Sequence, residues 1–144
     1  MNIKDIYEQL KDIDLCVFST VSDNKPQSSL MGFGVTEELE LIFGTSNKSR
    51  KFSNIKSNLN VSVVFSLKNH KTVQYEGTAE LLNDEDLEKY KNIYFDLRPS
   101  VRKYESLPDQ VYFKVKPIWI RYTDVSKKPW DIFEINFDTI SKIK

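Results

Sequence analysis

The sequence contains very few of the residues that form disulfides and metal sites. Its 144 residues include one cysteine, Cys16, and one histidine, His70. A single cysteine cannot form an internal disulfide, and the two residues together supply too few soft ligands for a zinc site, so we expect no bound metal. Cys16 lies in an apolar run, which favours a buried structural thiol over a reactive one. His70 lies in a polar turn, where exposure is favoured over catalysis.

Long hydrophobic runs are also missing. No stretch of about 18 apolar residues is present to span a bilayer. The first five residues lead into an amphipathic pattern and not into the basic and apolar segments of an export signal. We therefore expect a cytoplasmic protein with no membrane contact, and the length is that of one domain with its own core.

The formal net charge is zero, since 21 basic residues balance 21 acidic ones. This balance argues against a surface built for nucleic acid, and we expect no nucleic-acid partner. The charges are unevenly placed, because no acidic residue occurs between Glu40 and Glu76. An anionic ligand and a solvated basic face are both compatible with this window. Its basic residues are Lys48, Arg50, Lys51, Lys56, Lys68 and Lys71.

Segments rich in β-branched and apolar residues, separated by short polar turns, dominate what is present. Six strands are predicted, with a bend in the last one at Pro117. Apolar residues at helical spacing predict a helix from Ile3, a short helix within 46–58 and a longer one capped by Asn83 or Asp84. This pattern predicts a mainly β fold, an antiparallel barrel with flanking helices. The predicted strands are 15–21, 27–35, 39–45, 61–65, 72–82 and 110–124.

The carboxyl-terminal part is too apolar to be a free tail. Residues 130–137, within a 126–144 extension, include three aromatic side chains and two isoleucines. We expect a barrel domain over 1–125 and an extension that docks either as an added strand on its own barrel or as an arm across a partner subunit.

One segment concentrates groups that suit a phosphate. Residues 44–51 combine hydroxyls, backbone donors and three cations at the step from a strand into a helix. Unpaired N–H groups and the positive end of the helix dipole favour an anion there, and Arg and Lys add charge-assisted hydrogen bonds. The same residue types also occur on ordinary solvated helices.

The sequence resembles the pyridoxamine 5′-phosphate oxidase-like family of FMN-binding split barrels over about residues 3–123. The resemblance implies a six-stranded antiparallel split barrel and a homodimer with the flavin at the subunit interface. It is carried by the order of several segments and not by any single one. These are Pro26 to Met31, Phe43-Gly44-Thr45, Ser49 to Phe52, Asn58 to Phe65, Val73 to Leu81 and Pro117-Ile118-Trp119.

The resemblance also implies the residues that bind the cofactor. Four residues of the second strand would line the flavin ring, although alternating strand residues are otherwise half core. Thr45 would bond the flavin or its phosphate tail. A glutamine of the family aligns better with Thr72 than with Gln74, and a late tryptophan aligns with Trp119, which is equally explained as core. The implied set is Ser28, Ser29, Leu30, Met31, Thr45, Ser49, Arg50, Lys51, Thr72 and Trp119, the phosphate being held by Ser49, Arg50 and Lys51.

The substrate half of the family's site is not matched. Family members that oxidise pyridoxamine phosphate have an arginine and histidine cluster after the late tryptophan, where this chain has Ile120-Arg121-Tyr122-Thr123. We therefore predict an FMN-dependent oxidoreductase that accepts hydride from NADH or NADPH and acts on a small molecule other than pyridoxamine phosphate. The alternative is a non-catalytic protein that binds a flavin, a deazaflavin or haem on the same barrel.

Overall fold

The computed structural model of the protein describes residues 1–137, and within them the fold is mainly β with flanking helices. This confirms the predicted fold class. No helix among these residues is long and apolar enough to cross a membrane. The elements are α1 (Ile3–Leu10), β1 (Leu15–Ser22), β2 (Lys25–Gly32), β3 (Gly34–Val35), β4 (Leu41–Ser46), α2 (Arg50–Ser57), β5 (Asn60–Leu67), β6 (Lys71–Leu81), α3 (Asp84–Leu97), a 3₁₀-helix (Pro99–Tyr104), β7 (Gln110–Asp124) and β8 (Asp131–Asn136).

All eight strands belong to one antiparallel sheet with the order β2-β1-β5-β6-β7-β4-β3, and β8 pairs with β7. The two strands at the ends of this order, β2 and β3, are separated in the chain by Phe33 alone. The sheet therefore curls until its edges meet in one continuous segment. That segment was predicted as a single strand, 27–35. Its interruption at Phe33 and the addition of β8 account for eight strands where six were expected.

Short turns connect two pairs of neighbouring strands. Asp23 and Asn24 join β1 to β2, and Lys68, Asn69 and His70 join β5 to β6. Asp23, Asn24, Asn69 and His70 have positive φ. Such backbone angles suit the twist of a tight hairpin, and Asn and Asp tolerate them. His70 is exposed in its turn, as predicted.

The last long strand, β7, has the predicted bounds, and its pairing with β6 is irregular beside Pro117. Trp119 pairs with Glu76 and Pro117 with Gly77, which leaves Ile118 without a partner on β6. The irregularity therefore lies where the proline predicted a bend.

The inner face of the sheet, defined as the face turned towards the core, is densely aromatic. Phe18, Phe43 and Phe113 are fully buried, with ring centroids 4.7, 5.7 and 5.4 Å apart. Helix α1 covers this core with Ile6 and its neighbours. Cys16 is 2% exposed, and burial raises its pKa to about 12, which confirms a structural thiol.

A smaller cluster lies on the other side of β4 and β7, under α3. Arg98, which follows α3, donates to the backbone carbonyl oxygens of Phe33 (3.2 Å), Lys11 (2.6 Å), Leu10 (3.3 Å) and Ile13. One guanidinium thus joins the end of α1, the break between β2 and β3, and the start of the 3₁₀-helix. The cluster consists of Ile42, Tyr90, Tyr94, Phe95 and Tyr112.

Part of the carboxyl-terminal extension forms β8, which pairs with the second half of β7 in the same chain. Ile135 of β8 pairs with Ile120 and joins the core. Trp130, just before the strand, stays 59% exposed. The remaining residues of the predicted extension, 138–144, lie outside the described residues.

Candidate functional site

The step from β4 into α2 is held by a short chain of hydroxyls. Ser49 caps α2, because its Oγ accepts from the backbone N–H of Phe52 at 3.3 Å. Thr45, near the end of β4, donates its hydroxyl to the same Oγ at 3.1 Å. Because the first N–H groups of a helix lack partners within the helix, the amides of Arg50 and Lys51 begin α2 as available donors. The predicted phosphate-binding segment therefore forms the expected strand-to-helix junction.

The three cations of this junction differ in their surroundings. Lys48 forms an ion pair with Asp109 at 3.3 Å. Among residues 1–137, by contrast, no carboxylate lies within 4.0 Å of the side-chain nitrogens of Arg50 or Lys51. Arg50 is exposed and Lys51 is half-buried. Two positive charges without a protein partner thus remain beside the start of α2.

A cleft of about 350 Å³ opens next to this junction, between the sheet, α3 and the 3₁₀-helix. Its volume falls in the range of small-molecule sites, and no acidic side chain of the described part of the chain lines it. Four of the ten predicted cofactor-binding residues, Leu30, Met31, Thr45 and Lys51, lie in its wall. The other lining residues are Gly32, Gly44, Tyr94, Val101, Tyr104, Gln110 and Tyr112.

Strand alternation divides the predicted residues of β2 between the two faces of the sheet. Leu30 is 66% exposed on the outer face, whereas Met31 is 8% exposed on the inner face. Both reach the cleft, since it lies at the end of the strand. Ser28 points outward and its Oγ lies 2.8 Å from that of Ser19 on β1. Ser29 points inward, is half-buried and pairs with Phe18, so neither serine lines the cleft.

Thr72 and Trp119 lie on the outer face, away from the cleft. Thr72 is exposed near the start of β6. Trp119 lines a shallow groove on β7 together with Ser19, Ser62 and Glu76. Pairing places Ser28, Ser19, Ser62, Glu76 and Trp119 in one row across β2, β1, β5, β6 and β7. Four strand spacings, roughly 19 Å, separate its ends. One chain therefore does not bring Trp119 to Leu30 or Lys51.

The most unusual group in the cleft was not predicted. Tyr112 on β7 is 9% exposed, and its buried hydroxyl has no hydrogen-bond partner among residues 1–137. Gln110 lies beside it but does not complete a hydrogen bond with it. Burial raises the pKa of Tyr112, against smaller opposing effects of Gln110 and Lys91, so the hydroxyl keeps its proton at neutral pH. Burial likewise raises the pKa of Tyr94, across the cleft, to about 12.

Glycines make room for these tyrosines. A Cβ at Gly44 would lie 2.9 Å from Cε1 of Tyr112 and 2.6 Å from Nε2 of Gln110. One at Gly34 would lie 2.9 Å from Cδ1 of Tyr94. Gly32, Gly34 and Gly44 are three of only four glycines in the chain. Their concentration within residues 32–44 was a sequence signal that could have indicated this cleft. The glycines alone do not indicate which side chains pack against them.

The 3₁₀-helix that contributes Val101 and Tyr104 was also missed. It follows Arg98, between the third predicted helix and the last predicted strand, where no element was predicted. Six residues without an apolar period give no helical signal. Its position depends on Arg98 and on contacts distant in sequence.

Comparisons with known proteins agree on the architecture. The sequence model of the family described as pyridoxamine 5′-phosphate oxidase matches residues 3–124. A search of curated protein sequences finds no match. Among solved structures, General Stress Protein 26 from Bacillus anthracis is 25% identical, with a TM-score of 0.70 over 94% of this chain and 100% of that one.

Two further structures share the fold at lower identity. A haem-binding protein from Mycobacterium smegmatis is 12% identical, with a TM-score of 0.78 over 93% of this chain. This chain spans only 57% of that protein's length. An FAD-binding protein from Mesorhizobium loti is 15% identical, with a TM-score of 0.68 over 85% of this chain and 92% of that one.

Proposed function

The chain belongs to the pyridoxamine 5′-phosphate oxidase family, and from this premise we propose that it binds FMN and acts as a homodimeric, cytoplasmic flavin oxidoreductase. The single observation that carries the proposal is the cleft beside α2. It combines Lys51, which has no carboxylate partner among residues 1–137, with an apolar wall, and Arg50 lies beside it at the start of α2. A cation beside an apolar wall suits a phosphorylated aromatic cofactor.

The residues of the cleft fit FMN in chemistry and in distribution. Lys51, Arg50 and the first amides of α2 would hold the phosphate, while Thr45 and Ser49 offer hydroxyls at the same point. Leu30, Met31 and Val101 supply apolar surface for the ring. FMN, when bound, supplies the redox chemistry, and the protein orients it and limits access of water. We propose NADH or NADPH as the electron donor.

The residues after Trp119 support a substrate other than pyridoxamine phosphate. Ile120 and Tyr122 are 0% and 3% exposed and belong to the core. Arg121 points outward, and its guanidinium lies 3.7 Å from the carboxylate of Glu134 on β8. None of these side chains extends towards the cleft beside α2. The residues after Trp119 therefore add no cation to this cleft for a second phosphorylated molecule.

The outer face of the sheet supports a dimer. Leu30, Val17 and Val64 occupy one register across β2, β1 and β5 and are 66%, 36% and 41% exposed. Such a contiguous apolar stripe is typical of an interaction surface. Because Thr72 and Trp119 lie on the same outer face, a twofold contact there would bring them from a partner towards the cleft. The predicted site would then be assembled from two chains.

The first experiment is a visible absorbance spectrum of the purified protein, recorded before and after addition of FMN and desalting. We expect the protein to retain flavin absorbance and the Arg50→Ala Lys51→Ala double variant to lose it. Each lost charge-assisted hydrogen bond weakens binding by about 1.5 to 3 kcal/mol. The matched control is Lys68→Ala Lys71→Ala, which removes the same charge from the same acid-free window, away from the cleft.

Turnover is tested separately from binding. Anaerobic NADH or NADPH should bleach the bound flavin. Bound flavin that neither donor reduces would favour the non-catalytic alternative. A protein that retains no flavin but shows a Soret band after addition of haem would favour a haem-binding protein. A protein that retains neither ligand would contradict both proposals.

The dimer is tested by light scattering on a sizing column. Val64→Glu places a charge within the apolar stripe and should convert the dimer to a monomer. Leu107→Glu is the control, since Leu107 is 51% exposed outside the stripe. A monomeric wild-type protein, or a Val64→Glu variant that stays dimeric, would refute this interface.

A further inference from the structure

The unpaired hydroxyl of Tyr112 lowers the stability of the free protein. A buried hydroxyl without a partner loses its hydrogen bonds to water and gains none in return. Phenylalanine would fill the same space without that cost. The rest of the ring is well packed, with Gly44 on one side, Phe95 at 6.0 Å between centroids and the Lys91 ammonium 5.6 Å from the ring centre. The ring is therefore fixed in place while its polar atom is left unpaired.

Tyr112 is one of the residues that line the cleft, together with Lys51 and Thr45. Tyr112 pairs with Gly44, the neighbour of Thr45, across β7 and β4. Within the described residues, Lys51 is the only charged side chain that lines the cleft. A ligand with negative charge is therefore favoured there, beside Tyr112.

We propose that Tyr112 donates its hydroxyl hydrogen bond to the phosphate of the ligand that Lys51 binds, which makes it a binding residue of this cleft. The inference rests on the proposed function for the identity of that ligand. It adds a donor from β7 to the phosphate anchor of α2. The phosphate would then be held from two elements, and the unpaired hydroxyl of the free protein would be satisfied on binding.

The test compares stability and affinity in Tyr112→Phe, because the proposal predicts opposite signs for the two. The free variant should unfold at a temperature about 3 °C higher than wild type, since an unpaired buried hydroxyl is removed. Its affinity for FMN, measured by quenching of flavin fluorescence, should fall about tenfold or more, because a hydrogen bond to a charged acceptor is lost. Its affinity for riboflavin, which lacks the phosphate, should change by less than about twofold.

Tyr122→Phe is the matched control. Tyr122 lies on the same strand, is 3% exposed, and packs in the core on the inner face. It should leave FMN and riboflavin affinities unchanged. Gly44→Ala is a second probe, since its Cβ would displace the ring of Tyr112 and the amide of Gln110. It should lower the affinity for FMN more than the affinity for riboflavin.

The outcomes separate this inference from the proposed function. If wild type binds FMN and Tyr112→Phe binds it equally well, the inference is wrong and the proposed function stands. An equal loss for FMN and riboflavin would place the donor on another part of the ligand and overturn the phosphate assignment. If wild type binds no FMN, the proposed function fails. The inference is then tested by the shift in unfolding temperature that inorganic pyrophosphate causes. A thermal shift in wild type that Tyr112→Phe lacks would support the inference, and no shift in either would refute it.

Discussion

Two buried tyrosines on the same sheet show how the barrel interior differs from the cleft. The hydroxyl of Tyr75 on β6 donates to the carbonyl oxygens of Leu39 at 2.7 Å and Val115 at 3.2 Å. The hydroxyl of Tyr112 on β7 has no partner. The first tyrosine completes the interior, and the second leaves a group available to a ligand.

The same contrast holds for other polar groups of the two regions. Asn54 is 7% exposed at the end of the barrel, and its amide donates to Thr20 at 3.0 Å and Gln27 at 2.8 Å. Arg50 and Lys51, a few residues earlier on the same helix, have no carboxylate partner among residues 1–137. Where the fold alone sets the requirement, polar groups are satisfied internally. At the cleft they are not, which is the difference expected of a binding site.

Matched glycine substitutions should sharpen this comparison most strongly. A Cβ at Gly77 would lie 2.6 Å from the backbone oxygen of Lys116 and 2.5 Å from Cγ1 of Val115, and that backbone cannot yield cheaply. We expect Gly77→Ala to lower the free energy of unfolding by about 3 kcal/mol. Gly44→Ala meets only side-chain atoms and should cost about 1 kcal/mol. Urea unfolding of both variants measures this, and equal losses would contradict the contrast.

The tyrosines provide the next largest effect. Tyr75→Phe removes a hydroxyl that serves two carbonyl groups, so it should lower the free energy of unfolding by about 2 kcal/mol. Tyr112→Phe should change it in the opposite direction. Urea unfolding of the two variants at one pH tests the pair. Loss of stability in both would mean that the hydroxyl of Tyr112 is satisfied in the free protein.

A smaller effect concerns Cys16 and pH. Burial raises the pKa of its thiol from 9.0 to about 12, so the folded state favours the protonated form. The stability that this contributes is complete below pH 9 and is lost as the pH rises towards 12. At pH 10 the loss should be about 1 kcal/mol. Cys16→Ala should lack this part of the decline between pH 8 and pH 10, measured by urea unfolding. A decline as steep as in wild type would assign the effect to other groups.

Much of the barrel was predictable because its strands have local sequence patterns. The bounds of β7 match, and Asn83, one of the two expected caps, does cap α3 through its side chain and the N–H of Asp86 at 2.8 Å. Strand alternation and capping residues act within a few positions, so the sequence carries them. The resemblance to the family, and the mainly β class, were confirmed. The break at Phe33 was missed, because it follows from how the sheet curls and not from local preference.

For the site, local chemistry and tertiary placement divide in the same way. The sequence by itself determined the predicted phosphate-binding junction, since hydroxyls and cations in 44–51 are neighbours in the chain and meet as soon as β4 and α2 form. Only the tertiary structure decided that Leu30 and Met31 reach this cleft whereas Ser28, Thr72 and Trp119 lie elsewhere on the outer face. Only it revealed the unpaired hydroxyl of Tyr112, because whether a buried group finds a partner depends on contacts between β4, β7 and α3 that no local pattern encodes.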